Sequence, residues 1–319
     1  MKKHIYIYSP SSAVRDKAAF KRGVNRLTTL GYEVEVDSAV LSTHLRFAGD
    51  DETRLAAIHR AADSGADIAL ISRGGYGLSR ILSSINYQAV AKAIDNGTQF
   101  VGFSDFTAFQ MALFAKTGSV SWAGPALGED FGAADGSDEV MEACFEDLIT
   151  GQGEGTGWRL PKKARNGVTK ISNVTGIQLA EDIYSIENSV LWGGNLTMLA
   201  SLVGTPFLPM VEGGILFIED IGEHPYRIER MITQLLHAGI LAQQKAIIFG
   251  QFTNYHLLPH DKGYKLPSVV SWLQGLVDAK VLTNLPFGHV ATKVLLPVGL
   301  PVTLTLESKE AFLLWGHHH

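Results

Sequence analysis

The sequence holds one cysteine, Cys144, in 319 residues, which excludes an internal disulfide and a thiolate zinc cluster. Cys144 falls on an amphipathic helical stretch and reads as a packed thiol. There is no basic block: 27 Lys and Arg are interspersed with 32 Asp and Glu for a net charge of -5. Nothing in the chain follows a phosphate backbone, and nucleic acid is excluded as a partner. No apolar run reaches the length of a membrane span, and the run behind the two N-terminal lysines stops at Ser9-Pro10, short of a signal-peptide core. A cytoplasmic protein with no membrane partner is expected. Neither G-x-G-x-x-G nor G-K-[ST] occurs. His256 and His260 are four apart, but Pro259 between them works against a shared helix face. No metal and no cofactor are expected.

What is present is a large apolar share, 46% of residues, enough for two cored domains. In the first half, short apolar runs alternate with amphipathic stretches, the pattern of a parallel sheet covered by helices. Strands are read at 4–8, 33–37, 66–72 and 99–103, and helices at 13–30, 50–64, 106–116 and 138–150. Residues 1–150 thus form a Rossmann-like α/β domain. A glycine-rich stretch follows, and 151–169 is taken as a linker. Residues 170–315 read as a second, mixed α/β domain. It has antiparallel strands at 170–179 and 302–314, strands at 214–219 and 245–251, and a helix at 227–237. The tail 316–319 has the composition of a tag remnant.

Two strand ends in the first domain carry special turns. One is Arg73-Gly74-Gly75-Tyr76-Gly77; the other is Gly102-Phe103-Ser104-Asp105. Ligands bind beyond the carboxyl ends of strands in an open parallel sheet, so both turns are placed at one site. The glycine turn either needs positive φ or brings an N–H close to a ligand. Ser104 either caps the next helix or is held as a nucleophile at its start. In the second half, Glu219 and Asp220 end an apolar strand and His289 follows Gly288 in a loop. Serine, acid and histidine come in the order used by α/β-hydrolases. The elbow G-x-S-x-G of that fold is absent, because residue 106 is Phe.

Five ordered motifs, Ser72-Arg-Gly-Gly-Tyr-Gly77, Gly102-Phe-Ser-Asp-Phe-Thr107, Trp192-Gly-Gly-Asn-Leu196, Leu216-Phe-Ile-Glu-Asp220 and Pro286-Phe-Gly-His289, resemble the LD-carboxypeptidases of the S66 serine peptidase family. The resemblance runs from the first strand to the last. It implies a two-domain fold with the site in the cleft, usually a homodimer, and release of terminal D-alanine from murein tetrapeptides in cytoplasmic peptidoglycan recycling. Carried over by residue, it implies Ser104 as nucleophile, Glu219 as triad carboxylate, His289 as base, and the N–H groups of Asp105 and Gly75 as oxyanion donors, with Gly75 favoured over Gly74. Arg73 is a candidate for the free carboxylate of the substrate, or else a salt-bridge partner. Asn195 either bonds the peptide or caps a helix, and Trp192 either stacks on a ligand or fills the domain interface. Two other activities stay open at this point. One is the related branch that cleaves a peptide-nucleotide amide in microcin self-immunity; the other is a two-lobed binding protein without catalysis.

Overall fold

A computed structural model describes residues 2–161 and 184–316. In the first half the strands are β1 (His4–Tyr8), β2 (Glu33–Val36), β3 (Ile68–Ile71), β4 (Gln99–Gly102) and β5 (Ser121–Ala123). The helices between and after them are α1 (Lys17–Thr29), α2 (Asp51–Asp63), α3 (Tyr87–Asp95), α4 (Phe106–Thr117) and α5 (Glu139–Thr150). The second half contains β6 (Gly155–Arg159), β7 (Tyr184–Asn195), α6 (Leu196–Leu202), β8 (Ile215–Ile221), α7 (Pro225–His237), β9 (Ala246–Thr253), α8 (Leu266–Gln274), β10 (Lys280–Leu282), β11 (Leu296–Val298), β12 (Leu300–Glu307) and β13 (Glu310–Leu314).

Two sheets result. The first has six strands in the order β11-β5-β4-β3-β1-β2, parallel except for β11. Its central strand β3 is buried along its whole length, as the continuous apolar run Ile68-Ala-Leu-Ile71 requires of a strand covered on both faces. The second has seven strands in the order β10-β9-β8-β7-β12-β13-β6. β7 to β10 run parallel, while β12, β13 and β6 are antiparallel. The fold is therefore the expected two-sheet α/β architecture, a parallel Rossmann-like sheet and a mixed one.

The chain shares its strands less simply than composition suggests. β11 comes from the second half, yet pairs with β5 and completes the first sheet. β6 falls inside the stretch taken as a linker and forms an edge of the second sheet against β13; glycines at 155 and 157 mislead there, because they sit where a Cβ would strike β13. The strand expected at 170–179 lies outside the described residues.

α4 lies between the sheets, packing on β7 and α6 as well as on its own domain. Eight of its twelve residues are buried, so it is apolar on nearly every side, as an interface helix must be. Among the described residues no helix is long and apolar enough to cross a membrane.

Candidate active site

The β4–α4 turn is tight and strained at its serine. β4 ends at Gly102, and Ser104 adopts φ +64°, a left-handed conformation that costs a serine roughly 1 kcal/mol or more. Helix α4 starts two residues later, at Phe106. The Ser104 hydroxyl faces His289, and Asp105 does not use its side chain as a cap. The Asp105 carboxylate instead accepts from Ser11 Oγ at 2.7 Å and Leu78 N at 3.0 Å, tying the loops after β1 and β3 to the elbow. Burial pushes the Asp105 carboxyl above its ordinary range.

β3 pairs with β4, so the glycine turn lies beside Ser104. A Cβ at Gly74 would sit 2.8 Å from Ser104 Cβ and 3.0 Å from its Oγ. Gly75 has φ +110°, with Ser12 packed where its side chain would be. Neither the Gly75 N–H nor the Asp105 N–H is engaged by another backbone acceptor among the described residues. Arg54 is completely buried and holds this turn. Its guanidinium donates to Gly77 O at 2.7 Å and pairs with Asp51.

Gly74 has an ordinary φ, so Gly74→Ala tests the contact with Ser104 without backbone strain. We expect kcat to fall roughly 100-fold through displacement of the hydroxyl, and stability to fall by about 1–3 kcal/mol. Steady-state kinetics and a urea midpoint measure the two separately.

From the second sheet, β8 delivers Glu219, which is entirely buried. Its neighbour in register on β7 is Asn195. The pairing of β8 with β9 shifts between Ile218 and Asp220, a bulge that puts an extra residue into β9 at Gly250 and Gln251. Gln251 then pairs with Gly288, its N–H donating to Phe287 O at 2.8 Å, and this brings the histidine loop alongside Glu219. Gly288 is needed there: φ is +133°, and a Cβ would lie 2.9 Å from Gln251 O and 3.0 Å from Glu219 Oε2.

The two sheets meet at His289. Its Nδ1 lies 2.8 Å from Glu219 Oε2 and its Nε2 lies 3.2 Å from Ser104 Oγ. The imidazole also rests against Phe103, with ring centroids 4.9 Å apart. This linear arrangement of hydroxyl, imidazole and carboxylate can deprotonate the serine during attack on a carbonyl.

The other expected site residues fall in three places. Asn195 caps α6 through Oδ1, which accepts from Met198 N at 3.2 Å. Its Nδ2 donates to Glu219 Oε1 and to Asp220 Oδ1, both at 3.1 Å. Its amide is thus committed to the protein, and the expectation of a peptide contact is corrected to one of holding Glu219. The Asn195 N–H donates to Thr107 Oγ1 at 3.0 Å, which hooks β7 to the helix carrying Ser104.

Trp192 is 1% exposed, and its indole donates to Gln244 Oε1 at 2.9 Å. It is a core residue of the second domain, correcting the expectation of a stacking residue. Arg73 lines a cavity of about 240 Å³ with Arg15, Ser72 and Glu129. Its Nη1 donates to Ala13 O at 3.1 Å, its Nε lies 3.7 Å from Glu129 Oε1, and that Nε has no hydrogen-bond partner. Burial lowers the Arg73 pKa and raises that of Glu129. Asp220, the residue after Glu219, accepts from Thr197 N at 2.9 Å and Thr197 Oγ1 at 2.7 Å.

Arg54 and Thr107 were not legible as site residues. An arginine on the apolar face of a helix, and a threonine three residues after a turn serine, are the only traces they leave.

The sequence matches the LD-carboxypeptidase N-terminal domain over residues 5–124 and the LD-carboxypeptidase C-terminal domain over residues 188–304. The structure is similar to that of a muramoyltetrapeptide carboxypeptidase from Oxalobacter formigenes, with TM-score 0.81, 37% identity and 98% of each chain covered. A probable murein peptide carboxypeptidase of Bacillus subtilis is 29% identical over 90% of this chain and 84% of its own length. The microcin C7 self immunity protein in complex with aspartyl sulfamoyl adenosine has TM-score 0.82 at 22% identity, covering 98% of this chain and 96% of that one. That likeness is one of fold.

Proposed function

The chain belongs to the LD-carboxypeptidase family of serine peptidases, and from that premise we propose that it removes the terminal D-alanine of a murein tetrapeptide. The reaction runs through Ser104 and serves peptidoglycan recycling in the cytoplasm. The observation that carries this reading is the hydrogen-bonded line Ser104–His289–Glu219, with spacings of 3.2 and 2.8 Å, at the meeting of the two sheets.

Ser104 Oγ attacks the carbonyl that precedes the D-residue while His289 Nε2 takes its proton. Glu219 holds the ring with Nδ1–H toward itself and stabilises the imidazolium. The Asp105 and Gly75 N–H groups donate to the oxyanion, each contributing about 3 kcal/mol by analogy with other acyl-transfer sites. His289 returns the proton to the amine of departing D-alanine. Water, deprotonated by His289, then attacks the acyl-enzyme, and Ser104 leaves with its proton restored. The step requires no cofactor.

An exopeptidase must recognise a free carboxylate, and we assign that to Arg73. It opens the glycine turn, and its Nη2 lies 3.6 Å from where a Gly75 side chain would begin, so a carboxylate held beside that turn gains a charge-assisted bond. The deciding experiment measures D-alanine release from a muramoyl tetrapeptide, from the same peptide amidated at its C-terminus, and hydrolysis of an aminoacyl sulfamoyl adenosine. We expect turnover of the first alone. We also expect Arg73→Gln to raise KM for it by roughly one to two orders of magnitude, the worth of one charged hydrogen bond, with a smaller change in kcat. Turnover of the nucleotide amide in place of the tetrapeptide would move the substrate to the microcin-type branch. Tight peptide binding without any turnover would make the protein a binder.

A further inference from the structure

The loop that carries His289 bears a second charged residue that the reaction above does not use. Lys293 is four residues beyond His289 and is 1% exposed. Its ammonium lies 2.6 Å from Asp130 Oδ1 and 3.9 Å from the centre of the Phe103 ring, the same ring that packs on His289. Asp130 belongs to a single π-helical turn, Leu127–Phe131, in the first half of the chain, and its other oxygen accepts from Ala126 N at 2.7 Å. Arg22 and Arg26 of α1 brace that turn through the carbonyls of Gly132 and Phe131.

An ion pair this deep is costly to desolvate and is a poor device for stability alone. Its placement has another consequence. The His289 loop leaves the second sheet after β10 and re-enters the first as β11, and Lys293–Asp130 fastens its middle to the domain of Ser104. Glu219 is hydrogen-bonded to the imidazole, and Lys293 and His289 both touch the Phe103 ring. Glu129, next to Asp130, is turned toward Arg73, and Asp220, next to Glu219, is bonded to Thr197 and Asn195.

We propose that the Lys293–Asp130 pair is a positioning device for His289: it docks the histidine loop on the serine domain and, through the Phe103 ring that both Lys293 and the imidazole touch, fixes the imidazole against Ser104. This rests on the triad reading above. A group buried this deeply gives up its charge when its partner is removed, so each single variant loses the tie and leaves no net charge beside the ring.

The test reads Ser104 and His289 without assuming a substrate. The rate at which a fluorophosphonate labels Ser104 is followed from pH 5 to 9 in the wild type, Lys293→Met, Asp130→Asn and Lys293→Arg. Lys293→Met and Asp130→Asn are each expected to slow labelling of the folded protein by roughly tenfold across the pH range, while Lys293→Arg, which keeps the ion pair, stays near the wild type. A pair that serves stability alone would lower the unfolding temperature and leave the labelling rate of the folded protein unchanged, and that outcome overturns the proposal. If Lys293→Met does not fold, the comparison of Asp130→Asn with Lys293→Arg decides. Absence of labelling in the wild type is a different failure, that of Ser104 as nucleophile.

Discussion

Ser104→Ala is expected to lose D-alanine release by roughly 10^4-fold or more while leaving the protein folded. Removal of the nucleophile leaves only the oxyanion donors and substrate binding to assist water, so residual turnover is small. Stability is expected within about 1 kcal/mol of the wild type. The hydroxyl makes one hydrogen bond, to His289, and alanine at φ +64° meets much the same backbone strain as serine. Ser104→Gly refines the argument, since glycine occupies that φ without strain. It should be as inactive as Ser104→Ala yet no less stable, because relief of about 1 kcal/mol of strain offsets the extra freedom of glycine in the unfolded chain. Chromatographic assay of released D-alanine, with thermal unfolding on the same samples, checks both halves. Retained turnover in Ser104→Ala would remove serine from the reaction.

Much of this arrangement was legible in the chain because it rests on local rules. The apolar run 68–71 reads as a buried strand, and the glycines after it as a turn that no side chain could fill. The turn serine ahead of a helix was ambiguous for a physical reason: capping and nucleophilic elbows call for the same residue type at the same place, and only φ distinguishes them. Glu219 ends an apolar strand and would pass for a helix cap. It becomes a site residue only through Gln251 and Gly288, in segments 30 or more residues away in sequence. Non-local pairing also explains why β11 could not be assigned. Leu296–Val298 is short and apolar, and nothing within it says which of two sheets it joins.

Residues that act by holding others were the least legible. Asn195 read as a helix cap, which it is, but the cap spends only its carbonyl oxygen; the amide nitrogen is free to grip Glu219 and Asp220 because β7 and β8 are in register there. Trp192 left ligand stacking and interface filling both open, because an aromatic at a strand end serves either; its burial and the indole bond to Gln244 decide against stacking.

The role of Asn195 makes the second large effect directional. Glu219→Gln preserves shape and removes one charge, and its outcome depends on how the new amide is oriented. The oxygen site facing Asn195 Nδ2 at 3.1 Å meets a donor, so the amide oxygen settles there. The amide nitrogen is then directed at His289 Nδ1, where a carboxylate oxygen stood at 2.8 Å. A donor at that place forces Nδ1 to accept, and the imidazole carries its proton on Nε2, facing Ser104. The ring can no longer take the serine proton. A fall in kcat of roughly 10^4-fold is therefore expected, by analogy with the same exchange in other serine triads, with KM changed little because Glu219 is buried away from substrate. Nitrogen chemical shifts of His289 supply the readout that a packing defect would not move: the neutral ring should switch from the Nδ1–H to the Nε2–H tautomer. Asn195→Asp added to Glu219→Gln presents an acceptor to the amide nitrogen and lets the amide turn over, so part of the lost rate should return. Loss of kcat with the wild-type tautomer retained would mean that Glu219 acts through its charge alone, and that Asn195 does not set its orientation.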